Sequence, residues 1–456
     1  MPDASTPDVS ATPRRQLTLF DSTSIIVGII IGAGIYESSP LIASCVSGLG
    51  WLLGIWLIGG LFSLIGALCY AELATAYPEE GGDYVYLTRA FDRAPGFLFA
   101  WAQLWVVRPG SIGAMAYVFA RYANQLWPLW RDGGESLALM TYAVLSVVVL
   151  TMINILGVRE GKWTQNLLTT TKVVGLVMVV GAGFWFASPD ASVVSSAKGA
   201  THTNYYLALI LVLWTYGGWN EMAYIGAEVR NPRKNILRAL LLGTVAVTAI
   251  YVLVNLAFVA ALGFEGMRNS GAVAADVLQL GLGNRGAQVI SILVCVSALG
   301  AINGQIFTGA RIYYAMGTEH RLYARLGRWN KRMGTPVWSL VMQGLVTLVL
   351  VVAFGLMESG FQSMVEYTTA IFWFFFLLVG LSLFVLRWRE PDTPRPYRVP
   401  WYPLVPILFC LSSLFMFYAS LTYAIECGRY QPLWAVAVML VGVGLSFFDP
   451  EPKDRD

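Results

Sequence analysis

Long apolar runs separated by short polar connections dominate the chain. A bilayer core of ~30 Å takes about 20 apolar residues in a helix. Twelve runs of that order occur, at roughly 22–46, 49–77, 96–126, 137–156, 163–187, 205–228, 235–262, 286–317, 335–356, 361–387, 402–426 and 431–448. Buried helices of soluble proteins can be as apolar, but not twelve times in one chain. Two runs are interrupted: the first by Gly32-Ala33-Gly34, the sixth by Tyr216-Gly217-Gly218-Trp219-Asn220. Five spans apart, they enter the membrane from opposite sides. Glycine interruptions at matching positions of two halves point to a transporter site; close helix packing through small residues is the other reading. The pattern predicts an all-α integral membrane protein of 12 transmembrane helices with helices 1 and 6 broken. Residues 1–20 and 449–456 are tails, 21–190 and 204–390 are inverted five-helix repeats, and 400–448 hold helices 11 and 12.

Composition agrees. Of 456 residues, 57% are hydrophobic and only 12% charged, with mean hydropathy +0.61. Soluble domains carry about 25% charged residues, and disorder needs few apolar residues with high net charge. The 45 Gly and 16 Trp suit packed membrane helices with interfacial aromatic rings. Residues 1–18 are polar and Pro-rich, so no signal peptide precedes the first run, which serves as its own insertion signal. With the N-terminus inside, 21 Lys and Arg fall in inner loops and tails against 5 outside. This predicts a multi-pass protein of the cell membrane with both termini cytoplasmic. The 5 Cys are scattered, odd in number and mostly within apolar runs, which reads as packing and not a disulfide framework.

A break inside a membrane leaves backbone N–H and C=O groups without partners, at several kcal/mol each. A zwitterion supplies them. N–H groups at the start of a half-helix suit a carboxylate, and carbonyls ending the preceding half suit an ammonium. No charged side chain is needed, which fits a break of Gly, Ala and Gly.

The chain resembles the amino acid–polyamine–organocation (APC) superfamily, most closely a prokaryotic member of the L-type amino acid transporters. The resemblance covers nearly the whole chain. It rests on Gly32-Ala33-Gly34-Ile35, Gly81-Gly82-Asp83-Tyr84, Arg108-Pro109, Tyr216-Gly217-Gly218-Trp219-Asn220, Glu228-Val229-Arg230-Asn231-Pro232, and Asn303-Gly304 ahead of Arg311. Each motif is weak alone; their order and spacing are specific. The implied fold is the LeuT-type 5+5 inverted repeat, and the implied activity is sodium-independent exchange or uptake of amino acids. By the same resemblance the substrate carboxylate meets the N–H groups of Ala33, Gly34 and Ile35. The ammonium meets the carbonyls of Ile30, Trp214 and Gly217, Trp214 closes over the substrate, and Trp373 lies near its side chain. Asn220 and Asn303 either position the unwound segments or are packing amides. Ala33 stands where many relatives have Ser, Phe372 where some have Asn, and Gly217 where some carriers of cations have Asp. The last absence favours neutral substrates. Glu221 reads as a cap or loop partner, or as a substrate or proton contact.

Lys172 lies ten residues past Lys162, about 15 Å into the membrane at ~1.5 Å per residue. A central lysine costs about 2.5–3.5 kcal/mol and should face protein. The resemblance gives it a role: an ammonium standing where sodium-coupled relatives bind sodium, bridging span 5 to the span 1 break. Packing against carbonyls alone is the other reading. Arg108, deep in span 3 beside Pro109, serves freed carbonyls or touches substrate. Arg311 and the Glu228/Arg230 pair form an inner-gate network or are snorkelling charges.

No enzyme signature is present. His202 and His320 lie in loops on opposite sides and cannot share a metal; no cofactor is expected. Gly281-Leu282-Gly283-Asn284-Arg285-Gly286 matches a dinucleotide-binding pattern formally, but in an outside loop with no strand before it. The basic inner loops follow from topology and imply no nucleic acid. The loop from Trp127 to Ser136 lacks the Cys through which animal L-type transporters join a heavy chain, so no disulfide-linked partner is expected. The expected partners are neutral amino acids as substrate and the lipid bilayer. The leading function is a sodium-independent exchanger or uniporter of neutral L-amino acids working by alternating access. The alternatives are proton-coupled symport through Glu221 and, in another class, an amino acid sensor that moves nothing.

Overall fold

The computed structural model describes residues 18–77, 82–129, 134–156, 162–187, 203–221, 229–320, 323–330, 333–357 and 359–447. Among them the chain is helical, with an isolated bridge between Asn330 and Thr335. The first predicted span is two short helices, α1 (Leu19–Ile30) and α2 (Gly34–Cys45), followed by α3 (Leu49–Ala76). The third span is divided as α4 (Asp83–Phe91), α5 (Arg93–Ala102), a π-helical turn (Gln103–Val107) and α6 (Arg108–Leu126). Next come α7 (Glu135–Ile155), α8 (Lys162–Trp185) and α9 (Tyr205–Thr215), which leads to a 3-10 turn at Trp219–Glu221. The remainder is α10 (Pro232–Arg268), α11 (Val273–Glu319), α12 (Val337–Gly355), α13 (Gly360–Arg389), α14 (Leu404–Glu426) and α15 (Gln431–Ser446).

Seven helices among the described residues are long and apolar enough to cross a membrane, which makes this a multi-pass membrane protein. The shortfall from twelve has local causes. Span 1 is two halves, α9 ends after 11 residues, span 3 is cut by the π-turn before Pro109, the apolar part of α8 is the short stretch Lys172–Trp185, and α15 has 16 residues. Two helical stretches run on past the predicted spans only across non-helical glycines, Gly263 close to the predicted end of span 7 and Gly283 close to the predicted start of span 8. Helix α10 continues past a kink at Gly263 (φ 72), and α11 begins well before span 8 and kinks at Gly283 (φ 60). The segment 281–286, expected as an outside loop, is the bend between two helical stretches, with non-helical backbone at Gly283. His320, expected in a loop, follows α11 directly and is buried with its ring 5.0 Å from that of Phe97. Glu228, Gly81, His202 and the two tails as far as residue 17 and from residue 448 lie outside the described residues.

Two packing groups emerge. Helices α1, α2, α3, α9 and α10 lie against one another, as do α6, α7, α11 and α12. Helix α8 touches both groups through α10 and α11, whereas α2 and α6 barely meet. Buried carboxylates fasten the ends of the helices around them. Glu72 on α3 accepts from Arg387 Nε (2.7 Å) and Nη2 (2.6 Å) on α13, and from the Val399 N–H (2.7 Å). Glu366 on α13 accepts from Gln362, Tyr423 and Arg429.

Candidate substrate site at two helix breaks

The first break is visible in the backbone bonding. Ile31 N–H reaches the Val27 carbonyl (2.8 Å), but Gly32 N–H turns back to Ile30 (2.8 Å), and Tyr36 N–H closes on Ala33 (3.2 Å). The α-helix therefore stops at Ile30 and restarts at Gly34. The leading N–H groups of α2 have no acceptor within their helix and carry its positive end. At the second break Tyr216 N–H still reaches Val212 (2.9 Å), while Gly217 N–H closes on Trp214 (3.0 Å). Gly218 then takes φ 113, a conformation that suits glycine.

One side chain joins the breaks. The Tyr251 hydroxyl, on α10, lies 2.8 Å from the Ile30 carbonyl and 3.2 Å from the Thr215 carbonyl. It has a single proton for two acceptors, so it serves the end of α1 and the end of α9 alternately or in a shared bond. Its ring is buried against Trp56 (5.2 Å) and Tyr216 (5.2 Å). Beside it, Thr215 Oγ1 donates to Ser38 Oγ on α2 (2.9 Å). Trp214 lies over the start of α2: a Cβ on Gly34 would fall 2.7 Å from the indole Cζ3. The indole meets Phe361 of α13 edge-on at 5.3 Å. Behind the first break, Lys172 Nζ donates to the Gly28 carbonyl (3.3 Å). It lines a cavity of about 10 Å³ with Gly32, Tyr36 and Ser297, room for about one water.

An uncharged cradle with free N–H groups on one side, carbonyls on the other and an aromatic cover suits a small zwitterion. Comparison with known proteins agrees. Residues 17–444 match the family model described as amino acid permease. The chain belongs to the amino acid permease family. It is similar to the b(0,+)-type amino acid transporter 1 of Mus musculus, 30% identical over 440 residues, covering 94% of this chain and 87% of the relative. It is also similar to the large neutral amino acids transporter small subunit 2 of Mus musculus, 31% identical over 454 residues, covering 95% and 81%. The same transporter from Oryctolagus cuniculus is 30% identical over 466 residues, covering 98% and 82%. These relatives place the permease among the L-type branch of the APC superfamily, as a transporter and not an enzyme. Among the described residues no group of His, Cys, Asp and Glu is arranged to hold a metal ion.

The permease brings Ile30, Ala33, Gly34, Ile35, Trp214 and Gly217 together at the breaks, with Lys172 behind them. Not every carbonyl expected to meet an ammonium is open. That of Ile30 already accepts from Gly32 and Tyr251, which fills both its lone pairs; that of Trp214 accepts from Gly217, with the Tyr216 N–H shared between it and Val212. Asn220 is buried in the 3-10 turn, and the side chain of Glu221 lies outside the described residues. Trp373 is buried in an aromatic wall on α13: its ring is 5.5 Å from Phe376, which is 4.2 Å from Phe372 and 5.1 Å from Trp219 beyond the second break.

The remaining candidates sit elsewhere. Asn303 accepts from Asn154 Nδ2 (2.6 Å), tying α11 to α7. Arg108 is buried where α6 leaves the π-turn, and there Tyr313 donates to the Gln103 carbonyl (2.9 Å). Arg311 stacks over the Phe307 ring at 3.8 Å, and Arg230 is exposed. Sequence reasoning missed Tyr251, Ser38 and Thr215, because a lone hydroxyl within an apolar run carries no local signal.

Proposed function

We propose that the permease is a sodium-independent exchanger or uniporter of neutral L-amino acids in the cell membrane, with both termini cytoplasmic. The observation that carries this reading is the meeting of the ends of α1 and α9 at one hydroxyl, with a half-buried ammonium behind the first break. The carboxylate is held by the N–H groups of Ala33, Gly34 and Ile35. The ammonium is held by the Trp214 and Gly217 carbonyls and by that of Ile30 once Tyr251 gives way. Trp214 covers the substrate, and the wall containing Trp373 bounds its side chain. Asn220 and Glu221 position the second break, whereas Asn303 and Arg108 brace the surrounding helices. A charged substrate side chain would meet aromatic rings and glycine here, so neutral substrates are favoured. The name of one group of relatives, large neutral amino acids transporter, points the same way.

Lys172 removes the need for sodium. Its Nζ stands against the Gly28 carbonyl, where a cation is wanted to satisfy the carbonyls ending α1. The architecture is twelve helices of the LeuT-type 5+5 plan, with residues 21–190 and 204–390 as inverted repeats and 400–448 as the added pair. The two packing groups give alternating access its parts: α1, α2, α3, α9 and α10 rock against α6, α7, α11 and α12. Although one group of relatives is named as a small subunit, the permease works without a disulfide-linked heavy chain, because the connection from Trp127 to Ser136 holds no Cys.

The test is uptake of labelled neutral amino acids into proteoliposomes in sodium-free buffer, with the lumen empty or loaded with unlabelled amino acid. Stimulation by the load establishes exchange, and equal uptake into empty vesicles establishes uniport. Absence of uptake without sodium overturns the reading. Uptake driven by an imposed pH gradient replaces it with proton symport.

A further inference from the structure

Three residues past the first break, in the first turn of α2, stands a carboxylate that the substrate cradle does not use. Glu37 is buried, 6% exposed, in a chain that spans the membrane. Its partner is Arg121 of α6, whose Nε lies 2.8 Å from Glu37 Oε1. The neighbouring residues repeat the contact, with Tyr36 on Tyr122 edge-on at 6.3 Å. These two helices belong to different packing groups and otherwise barely meet. An ion pair at a well-packed interface is one contact among many; here the contacts are few, and the charge pair and one ring pair are among them. Glu37 cannot stay paired if α2 moves away from α6, since Gly34, where α2 starts, is only one turn away. Arg121 is half-buried, with 27% of its side chain exposed, so the guanidinium reaches solvent once released while the carboxylate faces the gap.

We propose that Glu37 and Arg121 form the latch of the outer gate, an ion pair closed when Trp214 covers the start of α2 and broken when the outer path opens. The proposal rests on the transport reading above and on its sidedness, which puts α2 in the outer half of the membrane. Glu37 and Arg121 are positioning residues: they touch no substrate but set how long α2 rests against α6. Removing the Arg121 charge leaves Glu37 buried and unpaired in the closed state, and removing the Glu37 charge takes from Arg121 its ion-pair partner, so either change penalises that state specifically. The open state, with both groups hydrated, loses little.

The experiment reads the opening directly. Phe361, which packs on the Trp214 edge and is 2% exposed, is replaced by Cys in a Cys427→Ser background, because Cys427 is an exposed thiol. A membrane-impermeant maleimide is applied to intact cells and to inside-out vesicles. Glu37→Gln and Arg121→Gln should each raise the labelling rate from the outer side at least fivefold. The reversed pair Glu37→Arg with Arg121→Glu should return it to within twofold of the parent. If the neutral variants fail to reach the membrane, Glu37→Asp, which shortens the side chain by one methylene, should raise labelling at least twofold. Unchanged labelling in the single variants overturns the latch. So does a reversed pair as open as the singles, which would make α2 packing and not charge pairing the cause. Labelling only from the inner side overturns the sidedness and the outer gate with it. Because the readout is accessibility, a wild-type permease that moves no amino acid would overturn the transport reading and leave the latch to be decided by the labelling alone.

Discussion

Replacing Tyr251 with Phe isolates the link between the breaks. The ring contacts with Trp56 and Tyr216 are kept, and only the hydroxyl that lies 2.8 Å from the Ile30 carbonyl and 3.2 Å from the Thr215 carbonyl is lost. The two acceptors are unequally exposed to the loss. Ile30 keeps its bond from Gly32 N–H. Thr215 is the last residue of α9, so its carbonyl has no donor further along that helix. An unsatisfied buried carbonyl costs about 1–3 kcal/mol. If that cost falls on the conformation in which both breaks are held together and not on the one in which they part, the equilibrium between them shifts about 5–150-fold. The assay is exchange in proteoliposomes, with apparent KM measured separately on the outer and inner faces, alongside Tm in detergent. The ratio of the two KM values should change at least fivefold with little loss of Tm. Ratio and Vmax both within twofold of wild type would refute the link. A collapse of Tm with normal exchange by the surviving protein would reduce Tyr251 to a packing residue.

Other consequences are as direct. Lys172→Ala should lower exchange at least tenfold while folded protein in the membrane, judged by size-exclusion profile, falls much less; full exchange in that variant would remove the ammonium from the mechanism. Gly34→Ala puts a methyl 2.7 Å from Trp214 Cζ3, so the indole must leave its place over α2 and uptake should drop severalfold. Adding Trp214→Phe, whose smaller ring frees that space, should restore part of it, and no recovery would show that the cost lies in the backbone. Glu72→Gln should act on stability instead. Breaking a buried pair costs about 3–5 kcal/mol, so Tm should fall by several degrees while exchange per folded molecule stays within about threefold. Lost exchange at unchanged Tm would contradict a purely structural clasp.

The breaks were legible in the sequence because they are local. Gly32-Ala33-Gly34 and Tyr216-Gly217-Gly218 weaken a helix wherever they occur, and no tertiary partner is needed to see it. Lys172 was legible for a related reason: a charge within an apolar run demands protein around it. The same rule applied to Glu37, Glu72, Arg121 and Glu366 would have marked them too, but it names no partner. Glu72 meets Arg387, 315 residues away, and Tyr251 meets Ile30, 221 away. Such pairings are properties of the packed bundle. Apolar runs say least about continuity. Apolar length cannot show that helical stretches adjoin on both sides of the bend at Gly283, nor that a π-turn divides span 3 ahead of Pro109.

The number of partners around each buried charge separates joints that hold from joints that move. Glu72 is saturated: Nε and Nη2 of Arg387 and a backbone N–H bind it, and Arg395 stands 3.7 Å away. Glu366 is saturated likewise, by Gln362, Tyr423 and Arg429. Pulling such a carboxylate free would strand several donors at once, so α3 with α13, and α13 with α14, should travel as units. Glu37 is different, because among the described residues Arg121 alone neutralises it. Lys172 is different again: among the described residues it meets one carbonyl, at 3.3 Å, for an ammonium that has three protons to give. Both of these under-filled charges touch the two halves of the first broken helix: Lys172 meets α1, and Glu37 rides on α2. A charge with one partner exchanges it for water or substrate at small net cost, whereas one with four does not. The sparse pairs therefore fall where alternating access must open and close, and the saturated ones where the bundle must not.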